Sequence, residues 1–205
     1  MTDRIAKLDR KTRETSISVS LNLGGTGESE ISTGIGFLDH LLEALTKHSR
    51  MDLELECEGD LHVDDHHSAE DCGIALGQAI DKSLGDRAGI NRFGYAYAPL
   101  DESLARAVVD VSGRPFADIN LELKREMLGD LSCENVGHVL SSLAMAARCT
   151  LHVDVLKGYN DHHRAEAAFK AVALALKEAI AESGANDIRS TKGVIDQGTS
   201  GAGDP

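Results

Sequence analysis

Asp65-His66-His67-Ser68-Ala69-Glu70 and Asp161-His162-His163-Arg164-Ala165-Glu166 are two versions of one string in a chain of 205 residues. Four of its nine histidines sit in them. On a helix, residues four apart share a face, whereas adjacent residues diverge by about 100°. One turn therefore aims His66 and Glu70 one way and His67 another, so it can serve two ions. His162, His163 and Glu166 repeat that pattern. Imidazole nitrogen with carboxylate oxygen suits a divalent first-row metal. The repetition predicts a duplicated fold with two related metal sites.

The flanks agree. After each string an apolar stripe runs at helical spacing: Cys72, Leu76, Ala79, Ile80 and Leu84 in the first, Ala165, Phe169, Val172, Leu176 and Ile180 in the second. Before each comes an alternating run, Met51 to Cys57 and Cys149 to Val155, which predicts half-buried strands. Upstream again, helices are expected from Gly36 to His48 and from Asn135 to Arg148, carrying His40 and His138 as the next metal candidates. Farther upstream, Arg13 to Leu21 and Asp101 to Val109 match in charge and alternation, and each runs to a turn. Each half thus reads as strands, helix, strand, long helix. The expected organisation is one domain over 1–196, built of two pseudo-repeats at about 10–88 and 93–196, with a junction near Gly89 to Gly94. A half alone is marginal in size, whereas the whole chain buries a core readily. Alternation at 106–111 and 117–123 predicts α/β architecture in which mixed or antiparallel sheets have one face covered by helices.

Composition narrows the partners. The net charge is −13, with 34 acidic against 21 basic residues, which argues against nonspecific binding to nucleic acid or anionic membrane. Trp is absent and Phe and Tyr together number seven, so base stacking is not expected. No apolar stretch approaches 18 residues and Met1 to Leu8 lacks a secretion signal's apolar core, which makes a cytoplasmic setting the expectation. Cys57, Cys72, Cys133 and Cys149 include no C-x-x-C pair and read as reduced core residues. The tail from Gln197 to Pro205 is expected to be disordered.

Taken in order, Arg13-Glu14-Thr15, Gly36-Phe37-Leu38-Asp39-His40, Asp64 to Asp71, Gly113-Arg114-Pro115, Gly158 to Glu166 and Ser190-Thr191-Lys192-Gly193 resemble the imidazoleglycerol-phosphate dehydratase family of histidine biosynthesis. The resemblance covers nearly the whole chain. It implies duplicated halves like domain 2 of ribosomal protein S5, a homo-oligomer of 24 subunits with sites between subunits, and two manganese ions per subunit. Its implied reaction is dehydration of D-erythro-imidazole-glycerol phosphate to imidazole-acetol phosphate. Within that reading the metal ligands are His40, His66, His67, Glu70, His138, His162, His163 and Glu166, eight donors for two ions. The resemblance makes Glu14 the base that removes the carbon-bound proton. It assigns Arg92, Arg114, Lys170, Ser190 and Lys192 to the phosphate and Asp101 to a substrate hydroxyl. Lys170 also lies two helical turns beyond His163.

The remaining histidines and two aspartates have plainer expectations. His48 ends a helix as a polar cap, His152 faces solvent from a strand, and His62 stands near enough to the first string to support a ligand. Asp65 and Asp161 could accept a ring N–H from a ligand histidine or cap the helices that follow. Residue chemistry alone leaves rivals: a dinuclear hydrolase activating a bridging water, or a protein whose ions only staple subunits together. It does not choose manganese over zinc.

Overall fold

The structure, a computed structural model, describes residues 4–195. The expected tail therefore falls outside the described residues. The first half runs β1 (Ile5–Lys11), β2 (Thr15–Asn22), β3 (Ser29–Ser32), α1 (Gly36–Ser49), β4 (Asp52–Gly59) and α2 (His66–Leu84). The second runs β5 (Phe93–Leu100), β6 (Ser103–Asp110), β7 (Phe116–Asn120), a hairpin of β8 (Met127–Leu128) and β9 (Leu131–Ser132), then α3 (Cys133–Ala146), β10 (Thr150–Lys157) and α4 (Asp161–Ile180).

Both sheets have the same wiring. The first has the order β1-β2-β4-β3 and the second β5-β6-β10-β7. In each, three strands are antiparallel and the fourth joins in parallel, β3 beside β4 and β7 beside β10. The fold is thus α/β with mixed sheets packed on helices, and it is duplicated. The β8–β9 hairpin, an addition in the second half, had no periodicity long enough to show in the sequence. The predicted α1 and α3 exist, but α3 starts and ends two residues early. Arg148 is in the left-handed region at φ 53°, which an α-helix does not continue through.

Inward positions of the strands are apolar and buried, as in Ile17, Val19 and Leu21 of β2 and Ala105, Ala107 and Val109 of β6. Both helical stripes are buried along their full length. Helices α1 and α2 pack on the first sheet and α3 and α4 on the second, and the halves join helix to helix, α1 with α4 and α2 with α3. The α2–α3 seam is tight because α2 carries glycine there. A Cβ on Gly73 would stand 2.7 Å from the Val139 carbonyl oxygen, and one on Gly77 2.5 Å from that of Leu143. The four cysteines are free and buried, as expected. No described helix is long and apolar enough to cross a membrane.

Candidate metal centres and their surroundings

Each helix seam carries one cluster of potential ligands. At the α1–α4 seam, Glu166 Oε2 lies 3.0 Å from His40 Nε2 and 3.3 Å from His162 Nε2. At the α2–α3 seam, Glu70 Oε1 lies 3.1 Å from His138 Nε2, and Glu70 Oε2 lies 4.0 Å from His66 Nε2. In each cluster the three donor atoms fall within 4.8 Å of one another. Two imidazoles and a carboxylate at that spacing match the reach of a first-row divalent ion with bonds of about 2 Å. Every cluster therefore draws one histidine from the half that does not supply its other two ligands. Such a pairing could not be read from the two strings, because it depends on which helices meet.

Other groups orient these rings. His66 and His138 stack with centroids 5.0 Å apart, and the Asn135 Oδ1 is 3.0 Å from His66 Nδ1. Phe37 packs beside His162 at 5.0 Å between centroids. Glu166 is held by Lys170, whose Nζ is 2.6 Å from Oε1. Burial opposes ionisation of Glu166, but Lys170 and His40 outweigh it and hold its carboxyl down to about 2.

His67 and His163 belong to neither cluster within one chain. The ring of His67 is oriented by Asp60, with Oδ2 3.1 Å from Nδ1, while Glu14 Oε1 stands 3.7 Å from Nε2. His163 repeats this with Glu102 Oε2 2.8 Å from Nδ1 and Asp101 Oδ2 3.9 Å from Nε2. The hydrogen bond that its ring N–H donates to Asp60 raises the pKa of His67, and the one donated to Glu102 raises that of His163. Glu102 is itself driven down to about 2, first by His163 and then by the Asn160 backbone N–H. A carboxylate on one ring nitrogen fixes the tautomer and leaves the other as a potential ligand.

Several expectations about these surroundings change. Asp65 neither caps α2 nor meets a histidine; its oxygens accept from the Ser132 N–H and hydroxyl. Asp161 accepts from the backbone N–H groups of Lys124 and Arg125. The N–H groups that open the two helices go one residue earlier, to Asp64 and Asn160. Glu14 lies in the turn before β2 and not in the strand. His62 is exposed without a hydrogen-bond or ionic partner among the described residues, whereas His152 faces outward beside Asp118 as expected. His48 is largely exposed at the end of α1, where partial desolvation and then the Lys170 charge lower its pKa.

The proposed phosphate residues do not converge in one chain. Lys170 belongs with Glu166, at the cluster. Arg92 makes a two-pronged ion pair with Asp110 and also donates to the Arg189 carbonyl. Arg114 stands 3.9 Å from the same aspartate. Ser190 Oγ accepts from the Lys192 N–H in the adjoining loop. Because the Arg92 N–H bonds the Ala179 carbonyl, this group lies at the far end of α4, about 20 Å along the helix from Glu166.

A family model described as Imidazoleglycerol-phosphate dehydratase matches residues 33–176. A protein of that name from Phytophthora nicotianae is 59% identical over 94% of this chain, which spans 42% of that longer protein. One from Kluyveromyces lactis is 54% identical, over 94% of this chain and 98% of its own length. The crystal structure of imidazoleglycerol-phosphate dehydratase from Staphylococcus aureus superposes with a TM-score of 0.79 at 38% identity, covering 87% of this chain and 99% of that one.

Proposed function

The chain belongs to the imidazoleglycerol-phosphate dehydratase family, metal-dependent lyases of histidine biosynthesis, and on that premise we propose how its residues divide the work. The observation that carries this division is the pair of clusters, His40–His162–Glu166 and His66–Glu70–His138, set at the two helix seams. We assign one manganese ion to each. His67 and His163 are the remaining ligands, offered to a neighbouring copy. When bound, the ions supply Lewis acidity that favours the anionic form of the substrate's imidazole ring.

Dehydration removes a hydroxyl from the carbon beside the ring and a proton from the adjoining carbon. Glu14 is the base for that proton: its carboxylate accepts no hydrogen bond among the described residues, and it stands on the Nε2 side of His67. Asp101, which holds the matching position before His163 Nε2, contacts a substrate hydroxyl. Arg92, Arg114, Ser190 and Lys192 bind the phosphate at one end of the chain, and Lys170 reaches it from the other. Charge-assisted hydrogen bonds of this kind are the strong ones.

Since the metal ligands and most of the phosphate group lie about 20 Å apart along α4, a small substrate must meet them on different copies. This separation supports a homo-oligomer, which we take to be 24 subunits working in the cytoplasm. The two wiring-identical sheets likewise support pseudo-repeats at 10–88 and 93–196 within one domain. Turnover of imidazoleglycerol phosphate by stripped and manganese-loaded protein tests the reading, with elemental analysis expected to give two equivalents per subunit. One equivalent, unaffected by His162→Ala, would reject it. Sedimentation with and without chelator is expected to show a loosened particle, because ligands drawn from different chains make metal binding part of assembly energy.

A further inference from the structure

Asp71 carries a carboxyl group, is 5% exposed, and is outside every role assigned above. Its Oδ2 accepts from the Thr15 hydroxyl at 2.5 Å and lies 2.5 Å from Arg10 Nη1. Those two residues flank the turn that carries Glu14. The turn is closed internally by Thr12, whose hydroxyl oxygen accepts from the N–H groups of Glu14 and Thr15, and the Glu14 carbonyl accepts from the Asp60 N–H. Asp71 also follows His67 by four residues, one turn along the same face of α2. One helix therefore supplies both the ring that Glu14 faces and the anchor of the turn that presents Glu14.

The second half handles the equivalent turn differently. There Glu102 is pinned through its own carboxylate, by His163 and by the backbone N–H groups of Tyr159 and Asn160, and the helix position matching Asp71 is the buried Ala167. A carboxylate that must remain free cannot be held that way, so its turn has to be fixed from behind. We propose that Asp71 is a positioning residue for Glu14, acting through Thr15 and Arg10 to hold its carboxylate at the reacting carbon. This rests on the reading of Glu14 as the base.

The test is a double-mutant cycle on manganese-loaded enzyme, read as kcat and KM at constant metal content. Asp71→Asn is expected to lower kcat by about 10–100-fold with KM changed by less than about threefold, since misplacing a reacting group by about 1 Å costs on that order. In the Glu14→Gln background the same change should cost less than about twofold, because no base remains to be positioned. Equal losses in both backgrounds, or an unchanged kcat in Asp71→Asn, would overturn the inference while leaving the base assignment intact. Glu14→Gln with wild-type turnover would overturn the base assignment itself. If Asp71→Asn does not fold, Thr15→Val, which removes the hydroxyl at nearly constant volume, carries the same cycle with the same outcomes.

Discussion

Glu14 and Glu102 occupy corresponding turns, before β2 and before β6, and share a side chain, yet their surroundings separate them. Glu102 accepts four hydrogen bonds and sits at about 2; among the described residues the Glu14 carboxylate meets only the outer nitrogen of His67, at 3.7 Å. The first can hold a ring in place, and the second is free to receive a proton. Glu14→Gln is expected to keep both metals and near-normal substrate affinity while turnover falls by about 10²–10⁴-fold, the usual worth of a general base. More than about a tenth of wild-type turnover at saturating substrate, with a deuterium effect showing chemistry to be rate-limiting, would remove Glu14 from that role. At this scale the ligand types were legible in the two strings. Asp60 was not, because acidic residues stand at 60, 64, 65 and 71 around the first string, and only the course of the loop decides which one faces the His67 ring.

The seam between α2 and α3 brings His138 to Glu70, and glycines allow the approach. A side chain at position 77 would collide with the Leu143 carbonyl and stand 2.9 Å from the Ala147 nitrogen. These are backbone atoms and cannot swing aside. Gly77→Ala should therefore destabilise by about 1–3 kcal/mol, the usual cost of overpacking, and reduce metal retention by parting His138 from Glu70. Gly36→Ala, whose Cβ would meet nothing within 4 Å, is the matched control. Urea unfolding of the two variants decides: equal midpoints would mean the seam relaxes without loss. Helical periodicity made α2 and α4 legible over their whole buried faces. The close approach was not, since an isolated helical glycine reads in a sequence only as a weak point.

For the molecule as a whole, the pairs around the histidines make metal-free stability depend on acidity. Glu102 has a folded value of about 2 against an ordinary 4.5. Its contribution is therefore complete above about 4.5 and drains away as the pH falls towards about 2. The raised His163 works in the opposite sense: its contribution is present below the ordinary 6.5 and is lost as the pH rises through its folded value. The stability advantage of metal-free wild type over Glu102→Gln should thus peak between about pH 4.5 and 6.5 and shrink on both sides. Thermal unfolding of both proteins from pH 2 to 9 measures it, and an advantage independent of pH would show that the pair is not ionic. By itself the sequence determined the duplication, the ligand types, and the buried faces of strands and helices, because each is written in local repeats of period 2 or 3.6. Only the tertiary structure decided that His40 joins His162 and Glu166, that His138 joins His66 and Glu70, and that Arg92 lies at the opposite end of α4 from Lys170. Those are contacts between segments about 70 to 130 residues apart, set by helix packing across the halves, and no local period encodes which helices meet.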